Sequence, residues 1–288
     1  MTLSQALQQS AHLLNISGIE DSYVEAKILL GHITKLSPAQ IYTQLEQTLT
    51  VEQERKLQRV IERRLWREPA AYIVNRKEFY GMDFYVDSRV LIPRPETELL
   101  VEAALEFAKG NSTWLLSQPR PVLIADVGTG CGAIAISIAL NLPQSRVYAT
   151  DISSSALEVA KLNCEYHKVT EQVTLIQGNL LEPVTESVDI IIANLPYIKS
   201  SELLELAPEI AEYEPRIALD GGRSGLELIR QLLEQTGGKI NPRGCLLLEI
   251  GQTQGKEVVS LICRYFKKAE CEFILDLNGI KRIVKVTF

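Results

Sequence analysis

The strongest constraint on the fold lies between residues 122 and 250, where five short, nearly uninterrupted apolar segments alternate with stretches of helical character. The segments fall at 122–127, 147–151, 173–177, 189–194 and 245–250, with helical stretches near 132–141, 153–167 and 224–236. A strand that is wet on one face alternates apolar and polar residues, whereas these runs are apolar on both. They therefore predict a parallel sheet covered by helices on both faces. The C-terminal end differs: strand-like residues at 271–277, then Asn278-Gly279, then a second run at 283–288 form a hairpin signal. An antiparallel strand is expected to join the otherwise parallel sheet.

The first third follows another period. Leu57, Val60, Ile61 and Leu65 recur at i, i+3, i+4 and i+8, on one face of a helix. Similar spacing runs through 3–14 and 23–33, separated by a stretch containing Gly18 and capping-type residues. Residues 1–72 are thus expected to form a small all-helical domain. Around residue 72 the period changes, and the aromatic, β-branched run Phe79-Tyr80-Gly81-Met82-Asp83-Phe84-Tyr85-Val86 predicts a β-hairpin linker over 73–92. After Pro93 and Pro95 a helix resumes over 96–109, opening an α/β domain at 93–288. A chain of 288 residues has room for two such domains.

Composition removes several classes. Hydrophobic residues make up 46% and the net charge is −6, which excludes an intrinsically disordered chain. The longest apolar runs, such as Ile190 to Ala193, are far shorter than the roughly 18 residues a membrane span needs. Met1-Thr2-Leu3-Ser4-Gln5 has no basic segment followed by an apolar run, so no secretory signal is expected and the reading is cytoplasmic. The five cysteines contain no CxxC pair and only three histidines accompany them, so neither a metal site nor a disulfide framework is expected. The acidic balance counts against broad nucleic-acid binding, which rests on clustered Lys and Arg.

The sharpest local signal is Asp126-Val127-Gly128-Thr129-Gly130-Cys131-Gly132, directly after a strand and before a helix. Glycines there let a ligand approach the backbone. The dinucleotide fingerprint is G-x-G-x-x-G, and here the third glycine comes one residue early. The spacing resembles the first motif of Rossmann-like S-adenosylmethionine methyltransferases, which makes Gly128, Thr129, Gly130, Cys131 and Gly132 candidate cofactor contacts. Asp151 ends the next strand, where an acidic side chain can accept hydrogen bonds from ribose hydroxyls. Asn179 and Leu180 follow the third strand, placed to bond an adenine amine and to pack on its ring.

At the end of the fourth strand stands Asn194-Leu195-Pro196-Tyr197. Tetrapeptides of this form occur in methyltransferases that alkylate a planar nitrogen, and the chemistry accounts for the residue types. An amide or exocyclic amine nitrogen is a poor nucleophile because its lone pair is delocalised. Holding its N–H groups with the Asn194 side-chain oxygen and the Leu195 carbonyl favours pyramidalisation as the methyl arrives. Tyr197 can stack on the planar group, and Pro196 restricts Leu195 to extended conformations. Asn194 also counts among the cofactor contacts. The tetrapeptide alone leaves glutamine and adenine open as acceptors.

Residues 67–98 separate them. Arg67-Glu68-Pro69-Ala70-Ala71-Tyr72-Ile73, the 79–86 run and Val90-Leu91-Ile92-Pro93-Arg94-Pro95-Glu96-Thr97-Glu98 resemble the release factor glutamine methyltransferase family, known as PrmC or HemK. The sister family acting on a ribosomal protein has Pro-Arg-Ser-Pro instead of Pro-Arg-Pro-Glu-Thr-Glu. Glu214-Pro215, Ala218-Leu219, Gly221-Gly222 and Glu249-Ile250-Gly251 continue the resemblance in order. It implies a class I methyltransferase domain with a mostly parallel seven-stranded sheet, S-adenosyl-L-methionine as cofactor, and class 1 peptide-chain release factors as protein substrates. The implied reaction is methylation of the side-chain amide nitrogen of the glutamine in their Gly-Gly-Gln motif, by a monomer expected to have no nucleic-acid or membrane partner. The alternatives are a ribosomal-protein glutamine methyltransferase and a nucleic-acid adenine-amine methyltransferase.

Three positions depart from the family pattern: Leu195 replaces a proline, Asn75 a glycine, and Leu180 a common aromatic. The Leu195 carbonyl is retained whatever its side chain, and Asn is the next-best residue for positive φ. Arg55, Lys56, Arg59, Arg63, Arg64 and Arg67 cluster against Glu62, a basic helix that could dock the substrate protein. Residues 1–90 hold 11 basic and 11 acidic groups, and residues 91–288 hold 19 and 25, so the acidity belongs to the second part.

Overall fold

A computed structural model of the chain describes residues 1–111 and 120–288. In chain order the elements are α1 (Leu3–Ile16), α2 (Ser22–Thr34), α3 (Pro38–Thr43), α4 (Val51–Leu65), α5 (Ala70–Val74), β1 (Lys77–Phe79), β2 (Met82–Phe84), α6 (Glu98–Gly110), β3 (Val122–Val127), α7 (Ala133–Asn141), β4 (Ser145–Asp151), α8 (Ser154–His167), β5 (Val173–Gln177), β6 (Val188–Ala193), α9 (Pro208–Ala211), α10 (Glu227–Thr236), β7 (Ile240–Glu249), α11 (Gly255–Tyr265), β8 (Glu270–Leu275) and β9 (Lys281–Thr287). They form two compact units. One comprises Met1–Arg76 with Ala207–Tyr213, the other Lys77–Leu206 with Glu214–Phe288.

The first unit is helical. Capping boxes start α1, α3 and α4, with Thr2, Ser37 and Thr50 accepting from Gln5, Gln40 and Gln53 while each glutamine bonds back. Leu3, Leu7, Leu14, Leu29, Leu30, Leu57 and Ile61 bury one core between these helices. At roughly 1.5–3 kcal/mol per fully buried side chain, that core dominates the stability of so small a unit. α5 ends at Asn75 with φ +53, the left-handed cap that its asparagine suggested.

The basic helix is largely neutralised within this unit. Arg64 is only 4% exposed and is held by both Glu25 and Glu209; Arg67 also reaches Glu209 at 2.9 Å. Arg63 bonds Glu68 and Lys56 pairs with Glu52. Among the described residues no ion pair engages Arg55 or Arg59. Helical spacing placed the six cations on one stretch, but only packing could reveal that α4 turns Arg64 inward.

The second unit carries a seven-stranded sheet in the order β5-β4-β3-β6-β7-β9-β8. β3, β4, β5, β6 and β7 are parallel neighbours, and β9 runs antiparallel to both β7 and β8. The expected α/β class and the antiparallel C-terminal strand are both present. β3 and β6 are buried along their whole length, which is why their sequences show no polar alternation. Leu123, Ala125, Val127, Ile191, Ala193, Leu246 and Leu248 pack on one face with Ile229, Leu232, Leu233, Val258, Leu261 and Ile262 of α10 and α11.

The hairpin expected as a linker is packed into this unit. Phe79 and Phe84 are buried with rings 6.1 Å apart, and Phe84 lies 5.0 Å from the His167 ring. Two strands of three residues are too short to stand alone. The C-terminal turn also differs from a two-residue Asn-Gly connection. The Asp276 carboxylate accepts from the Asn278 and Ile280 amides, each at 2.9 Å, and from Arg282, closing a longer loop with Gly279 at φ +74. α11, a helix not expected from the sequence, follows β7 and buries Val258, Leu261 and Ile262.

Candidate active site

The glycine loop links β3 to α7. Gly128, Gly130 and Gly132 have φ of +76, +55 and +84, and the Gly128 and Thr129 amides donate to the Thr150 carbonyl at 2.9 Å. A Cβ on Gly128 would sit 3.3 Å from Leu195, and one on Gly132 would meet Ile136 at 3.1 Å and Ala160 at 3.4 Å. The first and third glycines therefore serve close packing. Gly130 has nothing within 4 Å of that position and faces open space.

Only part of the loop fronts the cavity beside it. Gly128 and Gly130 line a cavity of about 650 Å³ together with Asp151, Asn179, Leu180 and Asn194. Thr129, Cys131 and Gly132, expected as cofactor contacts, are not among the lining residues. Thr129 Oγ1 donates to Asp126 at 2.6 Å, and the Cys131 carbonyl accepts from Asn163 at 2.8 Å. Burial pushes the Cys131 thiol up to about 12. The turn that exposes Gly130 sends its neighbours' side chains inward, which spacing alone does not reveal.

Asp151 accepts from the Gly130 amide through Oδ2 and the Ser153 amide through Oδ1, both at 2.9 Å. Burial raises its pKa, opposed by these amides. Each oxygen keeps a lone pair for a further donor. Asn179 donates its amide to Glu182 at 2.8 Å, leaving its carbonyl oxygen as an acceptor. Leu180 holds φ +53, an uncommon conformation for a leucine, and is almost buried at the cavity wall.

Asp126 was legible only as the acid heading the motif. It is fully buried and accepts from Thr129 and from the Ala135 amide through Oδ2, while its Oδ1 has no hydrogen-bond partner among the described residues. Burial pushes it up to about 7.

The Asn194-Leu195-Pro196-Tyr197 segment leaves the carboxyl end of β6, where open α/β sheets bind ligands. Asn194, Leu195 and Pro196 line the cavity, whereas Tyr197 is not among its lining residues and lies against Glu249, with its hydroxyl 3.4 Å from Oε1. Gln254 donates to the Tyr197 carbonyl at 2.9 Å, and the Gly221 amide donates to the Ile198 carbonyl at 2.8 Å. A Cβ on Gly221 would come within 2.6 Å of the Pro196 carbonyl oxygen, and one on Gly225 within 2.4 Å of that of Tyr197. Gly225 and Gln254 went unassigned from sequence, since their role depends on close packing against a distant segment.

Thr97 lies in the Pro-Arg-Pro-Glu-Thr-Glu segment and Glu249 in Glu-Ile-Gly. Asn194 Nδ2 donates to Thr97 Oγ1 at 3.1 Å, and Thr97 donates to Glu249 Oε2 at 2.8 Å. In the same segment as Thr97, the Arg94 guanidinium is held by the buried carboxylate of Glu214, which also accepts from the Ile92 amide.

A sheet of this order, with a glycine loop after β3 and Asn-Leu-Pro-Tyr after β6, defines a Rossmann-like methyltransferase domain. Family models agree: the PrmC N-terminal domain matches residues 5–74, and the methyltransferase small domain matches 112–223. The chain is 41% identical over 262 residues to the release factor glutamine methyltransferase of Moorella thermoacetica, covering 91% of this chain and 89% of that one. It is 35% identical to the same enzyme of Geobacter sulfurreducens, covering 98% and 95%. A solved methyltransferase from Pyrococcus furiosus shares the fold at a TM-score of 0.50 with 21% identity, over 79% of this chain and 96% of that one. The chain belongs to the release factor glutamine methyltransferase family.

Proposed function

We propose that this chain methylates the side-chain amide nitrogen of the glutamine in the Gly-Gly-Gln motif of class 1 peptide-chain release factors, using S-adenosyl-L-methionine. The observation that carries the reading is the Asn194 carboxamide, anchored through its nitrogen to Thr97 at the edge of a cavity fronted by Gly130 and Asp151. The cavity's volume suits a nucleoside-sized ligand. Asp151 has lone pairs for two hydroxyls, the Asn179 oxygen is open to an amine, and the space over Gly130 admits a ligand against the backbone. When bound, the cofactor supplies an electrophilic methyl group on a sulfonium.

The chain's own contribution is to make an amide nitrogen attack. Asn194 Oδ1 and the Leu195 carbonyl accept its two N–H groups, favouring the pyramidal geometry in which the lone pair is released. Tyr197 orients the planar amide, and Pro196 fixes the direction of the Leu195 carbonyl. No strong base is required before attack, because the nitrogen becomes acidic only once alkylated.

Residues 1–72 serve in this reading as the substrate-docking domain, 73–92 as the connecting hairpin and 93–288 as the catalytic domain, in a monomeric cytoplasmic enzyme. Arg55 and Arg59 are the candidate docking cations. Among the described residues no helix is long and apolar enough to cross a membrane, and no group of three or more His, Cys, Asp or Glu could hold a metal ion.

The test supplies labelled cofactor with a release factor, the same factor with its acceptor glutamine changed, and ribosomal RNA. Label in the unmodified factor alone is expected. Label in RNA, or equal label in the changed factor, would refute the reading. Asn194→Ala is expected to abolish transfer while the unfolding transition stays cooperative.

A further inference from the structure

Asn194 and Glu249 stand side by side because β6 and β7 are parallel neighbours with Ala193 opposite Leu248: Asn194 is the first residue beyond β6, and Glu249 is the last of β7, still paired with Ile283 of β9. Thr97, just before α6, fills the space between their side chains. Thr97 and Glu249 are 5% and 4% exposed, so bulk water does not compete for these bonds. Resting on the functional reading above, we infer that Thr97 and Glu249 are positioning residues that set which end of the Asn194 carboxamide faces the methyl acceptor.

The argument is one of donor and acceptor counting. The two ends of a carboxamide are nearly the same size, so shape does not orient it; the hydrogen-bond network does. A hydroxyl has one hydrogen. With that hydrogen committed to Glu249, Thr97 Oγ1 can only accept, and the partner it accepts from must be Asn194 Nδ2. Oδ1 is thereby left to receive an N–H of the acceptor amide. The reversed carboxamide would place its own N–H groups against those of the substrate, a repulsive contact at the reacting nitrogen. The second oxygen of Glu249 accepts from the Tyr197 hydroxyl at 3.4 Å, so one carboxylate bonds Tyr197 directly and reaches Asn194 through Thr97.

A proton on Glu249 undoes the arrangement, because a protonated carboxyl can donate to Thr97 and free the threonine hydrogen for Asn194 Oδ1. Burial pushes Glu249 up to about 7, reinforced by Glu96 from the segment before α6. The bonds from Thr97 and Tyr197 and the charge of Arg282 on β9 act the other way. Arg94 also faces Tyr197 and favours its ionised form, as does Arg282. The relay is therefore complete above about pH 7 and lost below it.

Thr97→Val, Thr97→Ser and Glu249→Gln would be compared with wild type for transfer to an intact release factor between pH 5.5 and 9, alongside calorimetric cofactor affinity. Thr97→Val is expected to lower kcat about 10- to 100-fold with cofactor Kd within about threefold, and Thr97→Ser to recover most of it. In Glu249→Gln the acidic fall in kcat near pH 7 is expected to vanish, since the amide carries no titrating proton. Unchanged kcat in Thr97→Val, failure of Thr97→Ser to rescue, or an acid limb that persists in Glu249→Gln would overturn the inference. Failure of the functional reading itself is distinguishable, because wild type would then leave the Gly-Gly-Gln glutamine unlabelled.

Discussion

Asn163 on α8 is bonded to Tyr85 in both directions: its Oδ1 accepts from the Tyr85 amide at 2.8 Å and its Nδ2 donates to the Tyr85 carbonyl at 3.0 Å. The same Nδ2 donates to the Cys131 carbonyl in the glycine loop at 2.8 Å. One side chain, 1% exposed, thus joins the segment after the hairpin, a helix of the sheet domain and the glycine loop. Asn163→Leu would bury two carbonyls and an amide without partners. At roughly 1–3 kcal/mol for an unsatisfied group, a loss on the order of 3 kcal/mol is expected in urea unfolding. A loss below about 1 kcal/mol would show that the backbone groups find other partners.

Gly225 and Gly238 form a matched pair. Gly225 has φ +75 and its Cβ would strike the Tyr197 carbonyl oxygen, whereas nothing lies within 4 Å of a Cβ on Gly238. Gly225→Ala is expected to cost more than about 2 kcal/mol and to reduce methyl transfer by displacing Tyr197. Gly238→Ala is expected to leave both within error. Thermal melts and initial rates on the two variants check the contrast.

Asp126 supplies a pH dependence with a definite sign. Its folded pKa of about 7 lies above the ordinary 3.8, so between those values the folded chain holds a proton that the unfolded chain has released. Stability from this group is present at low pH and lost as pH rises toward 8. Relative to Asp126→Asn, wild type is expected to lose on the order of 3 kcal/mol between pH 5 and 8. Parallel urea-midpoint curves for the two proteins over that range would contradict this.

Asp151→Asn removes the charge that ribose hydroxyls would meet while keeping a similar shape. Hydrogen bonds to charged groups contribute roughly 1.5–3 kcal/mol, so cofactor Kd is expected to rise about 10- to 100-fold in calorimetry. Because burial holds the Asp151 pKa up, wild-type affinity is also expected to weaken as pH falls through that raised value. An unchanged Kd in Asp151→Asn would place the ribose elsewhere.

Docking is tested on α4. Arg55→Glu with Arg59→Glu is expected to weaken methylation of an intact release factor at least several-fold more than that of a short Gly-Gly-Gln peptide, with the effect shrinking at high salt. Equal effects on both substrates would remove α4 from the docking surface. Arg64 is a poor choice for this test, since its loss would strand Glu25 and Glu209 and destabilise the helical unit itself.

Runs of apolar residues and their period were enough to determine the sheet class, the helical first third and the hairpin, because burial on two faces, one face or one stripe leaves a distinct local pattern. Asp151 and the Asn-Leu-Pro-Tyr segment were legible as candidates for a related reason: open α/β sheets bind ligands at the carboxyl ends of their strands, and strand ends can be counted. What only the tertiary structure decided depends on residues far apart in the chain. Arg64 reads as one cation among six until packing pairs it with Glu25 and Glu209, and spacing alone does not show that the Cys131 side chain is buried while its carbonyl accepts from Asn163. Thr97 and Glu249 lie 152 residues apart, yet the register of β6 with β7 brings Glu249 beside Asn194 and the start of α6 sets Thr97 between them. Hydrogen bonds are short-range and directional, so the chain's pattern can name the groups that need partners, and only the fold can say which partners they find.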